Sequence, residues 1–515
     1  MLEGFREHRA QYCSEASQSR LTCFHTPSAG SIFGTSLAGS NDSFCIAQHS
    51  IFFDIGRQKF TLDCDCQQTG HKAESGTIPL ENLNSYQYLT GPKYLLKQWL
   101  DLKMSREHEK YSPSHSSEAG RTSKSFALLL KREVDGNIFH NMNEIMAIMI
   151  TLDVLSMTPD PTSTSGAALF SPEDIANTQI VILDEHPDGP LFDLFSLFST
   201  KKPLRVNEWI ANTGADVDGE AGAVPVDSVI LPLAGAANNL WADFVSLECE
   251  HNEMLRVFVH RVFDLLGIPR RRAATPSSPT VTAPRLNVTL IHRRSSRKLM
   301  GLDSFLLGAA RARFAEEADV RLVDFAELTL REQIQVSRDS DVLVGMHGAG
   351  LTQAMFMEEG RGAVVEIQPD RMCYKGFENL VRMGGRAYLA AGANKIVGNC
   401  YESGKEDGQL EMMSDGGTIN SVPTSRCYSN AADPDAWSFA CSDTALTGGD
   451  QSYMICHHQD ESDDWYKTCG GMEGGDIWWI ARYVMKQERF LEVLGQAIEI
   501  VQEQQKQAGG SIQSR

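Results

Sequence analysis

Between Leu286 and Ala390, short apolar runs alternate with longer amphipathic ones, and that alternation leaves few folds open to the chain. The runs "LNVTLIHR", "VRLVDF", "DVLVGM", "AVVEIQP" and "RAYLA" read as strands. Between them "LDSFLLGAARARFAEEA", "TLREQIQVSRDS", "GLTQAMFM" and "YKGFENLVRMGG" read as helices. Strands separated by helices line up parallel, because an antiparallel neighbour needs only a turn. The pattern predicts a doubly wound α/β domain over 286–399. A looser rhythm, "FALLLKR", "NEIMAIMITLDVL", "TQIVILDEHPDGP", "LFDLFSLFS", "VDSVILPLAG" and "HNEMLRVFVHRVFDLLGI", predicts another parallel-sheet domain over 121–268.

The chain's 515 residues exceed what one core serves, so two domains are expected. The basic, Pro/Ser/Thr-rich stretch 269–285 reads as a linker. Residues 1–120 read as an irregular Cys-containing region with a strand at "SIFFDI" and a helix at "YLLKQWLDL". The Gly/Asp/Ser-rich 400–472 reads as a loop insertion, and 473–515 as a C-terminal helical segment. A net charge of -20, from 67 acids against 47 bases, argues against nucleic acid as a partner. The best apolar run, Ile145 to Leu155, is short and carries Thr151 and Asp153, so no transmembrane segment is expected. Of the twelve cysteines, five (Cys13, Cys23, Cys45, Cys64 and Cys66) lie in the first 66 residues and four (Cys427, Cys441, Cys456 and Cys469) in a Gly/Asp/Ser-rich stretch near the end. Clustering in loop-like sequence suggests disulfides in an oxidising compartment; free thiols in a cytosolic enzyme are the alternative. Cys64-Asp65-Cys66 lacks the gap that zinc ligands need. The start "MLEGFREHRAQYC" does not read as a leader, leaving a cytosolic chain or a gene model that lost one.

Chemistry is expected where strands end. At "VLVGMHGAGLTQAMFM", Gly348, Ala349 and Gly350 join a strand to a helix, where free N–H groups and the dipole suit a diphosphate. Thr352 adds a hydroxyl and His347 an imidazole donor; a purely structural glycine turn is the alternative. The spacing is neither G-x-G-x-x-G nor a P-loop, which argues against a dinucleotide or ATP. Arg293, Arg294 and Arg297 follow the domain's first strand and suit bidentate diphosphate recognition, or are simply solvated. Glu366, late in "AVVEIQP", could hold ribose hydroxyls. In the first half, His140 and Glu144 stand one helical turn apart, and "LDEHPDGP" crowds Asp184, Glu185, His186 and Asp188 after a strand. These could supply a general base or form a solvated acidic turn. Three contiguous metal ligands are awkward on a strand, so no metal site is expected.

The blocks "DSDVLVGMHGAGLTQAMFM", "VVEIQP", "CYKGFENLVRMGGRAY", "TLIHRRSSRKL", "GNIFHNMNEI", "VILDEHPDGPLFDLF" and "YVMKQERFLEVLGQAIEIV" run in the order of a known family. The chain resembles the family 61 glycosyltransferases, in particular those that place O-linked N-acetylglucosamine on EGF-like domains. The resemblance implies a GT-B-like fold, two facing Rossmann-like domains with a nucleotide-sugar cleft between them. It implies an inverting transferase of the endoplasmic reticulum lumen that moves N-acetylglucosamine from UDP-N-acetylglucosamine to Ser or Thr of secretory proteins with EGF-like repeats. No obligatory cofactor or metal is implied. Arg293 and Arg297 would meet the diphosphate, and His347, Gly348, Ala349, Gly350, Thr352 and Glu366 would line the nucleotide side. Asp184 or His186, with His140 and Glu144, would handle the proton, although Glu144 stands where the family more often has aspartate. A UDP-xylose or other pentose transferase acting on glycans is an alternative, as is an inactive sugar-binding relative. Sequons stand at Asn41 and Asn287, the second opening a core strand.

Overall fold

The computed structural model describes residues 2–26, 42–66, 78–86, 88–103, 125–161, 163–213, 223–237, 246–270, 285–294, 297–369, 374–395, 427–429, 439–441 and 482–512. Nearly all of the expected linker 269–285 and insertion 400–472 therefore lies outside the described residues. Contacts divide the chain into two compact units, Met1–Val245 and Ser246–Arg515. The helix Glu253–Leu266, expected to close the first half, belongs with the second unit.

In the first unit the described strands are β1 Arg9–Gln11, β2 Arg20–His25, β3 Ser43–Asp54, β4 Lys59–Asp63, β5 Leu100–Lys103, β6 Phe126–Leu130, β7 Thr178–Ile182, β8 Leu204–Arg205 and β9 Ala223–Leu231. They form one sheet in the order β1-β2-β3-β9-β6-β7-β8, with β4 on β3 and β5 on β4. Strands β9, β6, β7 and β8 are parallel, as the alternation predicts. Strands β1, β2 and β3 extend that sheet antiparallel, through β3 against β9. The described strands of this N-terminal part thus belong to the same sheet as β6 to β9. Their aromatic and aliphatic residues, Phe53, Phe60 and Leu62 among them, share one core with Leu129 and Val229. Two disulfides, Cys13–Cys64 and Cys23–Cys45, tie this part together.

The helix Ile138–Met157 starts at Asn137, whose side chain accepts the N–H of Phe139. It is apolar on nearly every side. By length and composition it could cross a membrane, which the shorter run Ile145 to Leu155 did not suggest, but 83% of its most apolar window is buried inside the protein. It is a core helix of the first unit.

In the second unit β10 Leu286–Ile291, β11 Lys298–Leu299, β12 Ala318–Val323, β13 Val342–Met346, β14 Ala363–Pro369, β15 Ala387–Lys395 and β18 Arg482–Val484 form a sheet in the order β11-β18-β15-β14-β13-β10-β12. Strands β12, β10, β13, β14 and β15 are parallel. Two further strands, β16 Cys427–Ser429 and β17 Phe439–Cys441, pair antiparallel with each other. The terminal helix Gln487–Ile512 buries Phe490, Leu494 and Val501 in the core formed with Val342 and Val365. Asn287 donates its side-chain amide to Asp339 O at 2.9 Å from within β10, so its sequon is built into the sheet.

Candidate functional site

The parallel strands of the second unit run in the order second, first, third, fourth, fifth. Such a sheet opens a crevice off the carboxyl ends of the first and third strands, here β10 and β13. After β13 the N–H of His347 still bonds Ile367 O at 2.8 Å, and the chain then turns at Gly348 with φ 142°. Residues with side chains rarely adopt that conformation. A Cβ on Gly348 would lie 2.5 Å from Arg293 Nη1 and 2.9 Å from Arg297 Cζ. Two guanidinium groups from the loop after β10 therefore rest on this glycine. Burial lowers Arg293, and burial with the Arg293 charge pushes Arg297 down to about 10. Two cations confined at such a crevice have the charge and geometry that suit an anion. Arg294 turns elsewhere, to Asp324 at 2.7 Å and to Glu327.

His347 is fixed from two directions. Its Nδ1 lies 2.5 Å from Glu366 Oε1, and Tyr388 donates its hydroxyl to Glu366 Oε2 at 2.6 Å. Its ring meets Tyr374 and Phe377 edge-on at 4.8 and 5.3 Å. Burial and the Glu366 charge hold the Tyr388 hydroxyl well above its ordinary pKa, so it stays a donor. Glu366 is 0% exposed. With both oxygens engaged it positions His347, whereas the sequence suggested a carboxylate offered to ribose hydroxyls. Ala349 and Gly350 are half-buried on the first turn of a 3-10 helix, Ala349–Phe356, where the spacing predicted an α-helix. Thr352 is buried, and its hydroxyl has no hydrogen-bond partner among the described residues.

In the first unit the corresponding reversal lies between β6 and β9. Directly after β6, Arg132 is fully buried and grips Asp184, which follows β7, with Nη2 to Oδ1 at 2.7 Å and its own backbone N–H to Oδ2 at 2.8 Å. The same guanidinium donates to the carbonyls of His186, Pro187 and Asp188. Asp184 and His186 were expected to supply a base. The structure makes Asp184 the counter-ion of Arg132 and uses the His186 backbone to shape the turn. Next comes Glu133, whose Oε2 lies 2.7 Å from His140 Nδ1 and whose N–H donates to Glu144 Oε1 at 2.6 Å. His140 and Glu144 thus share the helix face expected of them. Burial, then the neighbouring Glu133 charge, raises the Glu144 pKa well above the ordinary range.

Residues 138–364 match a family model described as Glycosyltransferase 61. That stretch supports a family 61 glycosyltransferase. The EGF domain-specific O-linked N-acetylglucosamine transferase of Drosophila melanogaster is 26% identical over 267 residues, 50% of this chain and 44% of that protein. The proteins of the same description from Xenopus laevis and Mus musculus are each 30% identical over 146 residues, 27% of this chain and 25% of theirs. The chain spans less than half the length of these curated relatives. A metal-soaked flavodiiron core from Synechocystis sp. PCC6803 aligns at TM-score 0.17 and 10% identity over 75% of this chain and 93% of that one, too low to bear on the fold.

The family 61 region contains His140, Glu144, the acidic turn, both site arginines and the glycine turn, while Glu366 and Tyr388 lie just past it. Arg132, Glu133 and Tyr388 did not stand out in the sequence. For the first two a signal existed, since "KRE" places three charges directly after an apolar strand. Tyr388 carried none, because it lies in a strand and reaches Glu366 through sheet pairing alone.

Proposed function

We propose that this chain is an inverting glycosyltransferase of GT-B architecture that moves N-acetylglucosamine from UDP-N-acetylglucosamine to Ser or Thr hydroxyls of EGF-like repeats in the secretory pathway. The observation that carries the reading is the pair Arg293 and Arg297 packed on Gly348 at the reversal of a parallel sheet. A nucleotide diphosphate matches that charge, and the first N–H groups of the helical turn at Ala349 and Gly350 add to it. His347, oriented by Glu366, lies beside them as a donor for phosphate or sugar. The names of the relatives support the choice of sugar and acceptor, and two disulfides fit an oxidising lumen.

Fixed guanidinium charge can do at the leaving diphosphate what a divalent cation does elsewhere. The experiment incubates the chain with an EGF-like repeat and UDP-N-acetylglucosamine, UDP-xylose or no donor, with and without EDTA. The reading requires UDP release and a mass gain on the repeat with the first donor, undiminished by EDTA. Transfer with UDP-xylose alone would move the chain to the pentose transferases. Absence of turnover with either would remove the enzymatic reading.

A further inference from the structure

The second unit also holds a cavity on the side of its sheet away from the glycine turn. Arg338 precedes β13, Met355 to Glu359 precede β14, and Met383, Gly384 and Arg386 precede β15, so all of them lie toward the amino ends of parallel strands. With one side of the helix Glu253–Leu266 they line a space of about 360 Å³, and every lining residue belongs to this unit. Small-molecule sites run from roughly 300 to 1,000 Å³. The lining is apolar at Leu255, Val259, Phe263 and Phe356. Around these stand four arginines, two of them buried: Arg338 is 4% exposed, with its guanidinium 4.9 Å from the centre of the Phe263 ring, and Arg386 is 6% exposed. Backbone alone holds Arg386, since Nε donates to Glu358 O at 3.1 Å and Nη2 to the carbonyls of Met355 and Met357. Its Nη1 packs on Gly384 and has no hydrogen-bond partner among the described residues. Burial pushes Arg386 down to about 10, only partly offset by the charges of Glu359 and Glu358. A buried cation that carbonyls hold without a paired carboxylate favours a counter-ion.

The other two arginines, Arg256 and Arg270, pair with Glu253 and Asp264, neither of which lines the cavity. Burial, then the charges of Arg270 and Arg256, lower the His260 pKa despite Glu359 and Asp264, which marks the local field as positive. Glu358 and Glu359 are the two carboxylates of the lining, and both are exposed, where solvent screens them. Buried charge outweighs screened charge, so the cavity favours an anion. We propose that it binds a small amphiphilic anion, a carboxylate or a phosphate ester on an apolar body, with the charged head among the arginines and the body along Val259, Phe263 and Phe356. The head is drawn by the summed positive field, which requires no unused donor on any one arginine. The site stands whether or not the crevice at Gly348 takes a nucleotide, because the two lie at opposite ends of the parallel strands.

The test offers the full chain octanoate, octyl phosphate, octanol, octylamine and inorganic phosphate, read by melting temperature and calorimetry. Octanoate carrying a diazirine locates the site by photo-crosslinking. At least one octyl anion should raise the melting temperature and bind about tenfold or more tighter than octanol or inorganic phosphate, with no shift from octylamine. The tighter of the two anions tells a carboxylate ligand from a phosphate ester. Crosslinks should fall on peptides covering 252–263 or 355–359. Arg386→Lys should weaken the octyl anion roughly 10- to 100-fold. Because Arg386 also holds three carbonyls and its variant can fail to fold, His260→Trp serves beside it: His260 is only half-buried, and the larger ring takes up cavity space. That variant should keep the melting temperature of the free protein and bind the anion about tenfold or more weakly. No stabilisation by either octyl anion overturns the site, as does binding of octanol or octylamine as tight as that of the anions. Undiminished anion binding by folded His260→Trp, or crosslinks confined to other peptides, overturns it equally.

Discussion

Arg293 and Arg297 are two like charges held close under burial that lowers both, which guanidinium groups tolerate because they resist deprotonation and are weakly hydrated. An anion placed between them relieves that repulsion. Removing one arm should therefore cost more than one hydrogen bond of an exposed pair. Arg293→Ala is expected to weaken UDP binding by about 1.5–3 kcal/mol, read by calorimetry, and unchanged affinity would take it out of the site. Gly348→Ala acts on the same spot by a different route, since its φ of 142° and the guanidinium contact both exclude a methyl group. It is expected to reduce UDP affinity at least tenfold while the melting temperature moves by a few degrees. At this scale the residue types were legible before the structure: arginines after one strand, glycines and a histidine after another. Their wiring was not. Whether Glu366 meets a ligand or His347 depends on a contact between β13 and β14 that no spacing within either strand encodes.

Elements followed their periodicity where the run was long enough to measure it. The helix Ile138–Met157 and the parallel strands β10, β13 and β14 stand where the apolar pattern put them. Eight residues do not separate a period of 3.6 from one of 3.0, and the short apolar runs at Phe192–Leu197 and Ala349–Phe356 are 3-10 helices. Of the N-terminal strands, the end of β3 was legible at "SIFFDI", whereas β2 was missed because it needs its partner across the sheet to be recognised as a strand. A disulfide reinforces that pairing: Cys23 and Cys45 stand opposite each other in the β2–β3 register. Their sequence separation is 22 residues, so replacing both with alanine should cost about 3 kcal/mol in urea unfolding, through a less restricted unfolded chain. A loss under about 1 kcal/mol would mean that the strand pairing alone suffices.

For the whole molecule, charge and burial set a dependence on pH. His25 sits in the first unit's core between the Tyr12 hydroxyl and Ser43, and burial lowers it from 6.5 to about 4. Its folded pKa lies below its unfolded one, so its contribution is full above 6.5 and is lost as pH falls toward about 4. That amounts to about 3 kcal/mol across the window. Urea midpoints measured between pH 7 and 4.5 should fall steeply in wild type and more shallowly in His25→Asn; parallel slopes would place the titrating group elsewhere. At this scale too the sequence and the fold contribute differently. The sequence by itself determined the α/β class, the parallel strands and the strand ends where a glycine turn and arginines could meet an anion, because hydrophobic period and turn chemistry are local properties. Only the tertiary structure decided that Arg132 neutralises Asp184, that Glu133 backs His140 and that the first strands complete the first sheet. Those outcomes depend on side chains from separate strands and helices arriving at one point, and a charge finds its partner only after the backbone has brought the two together.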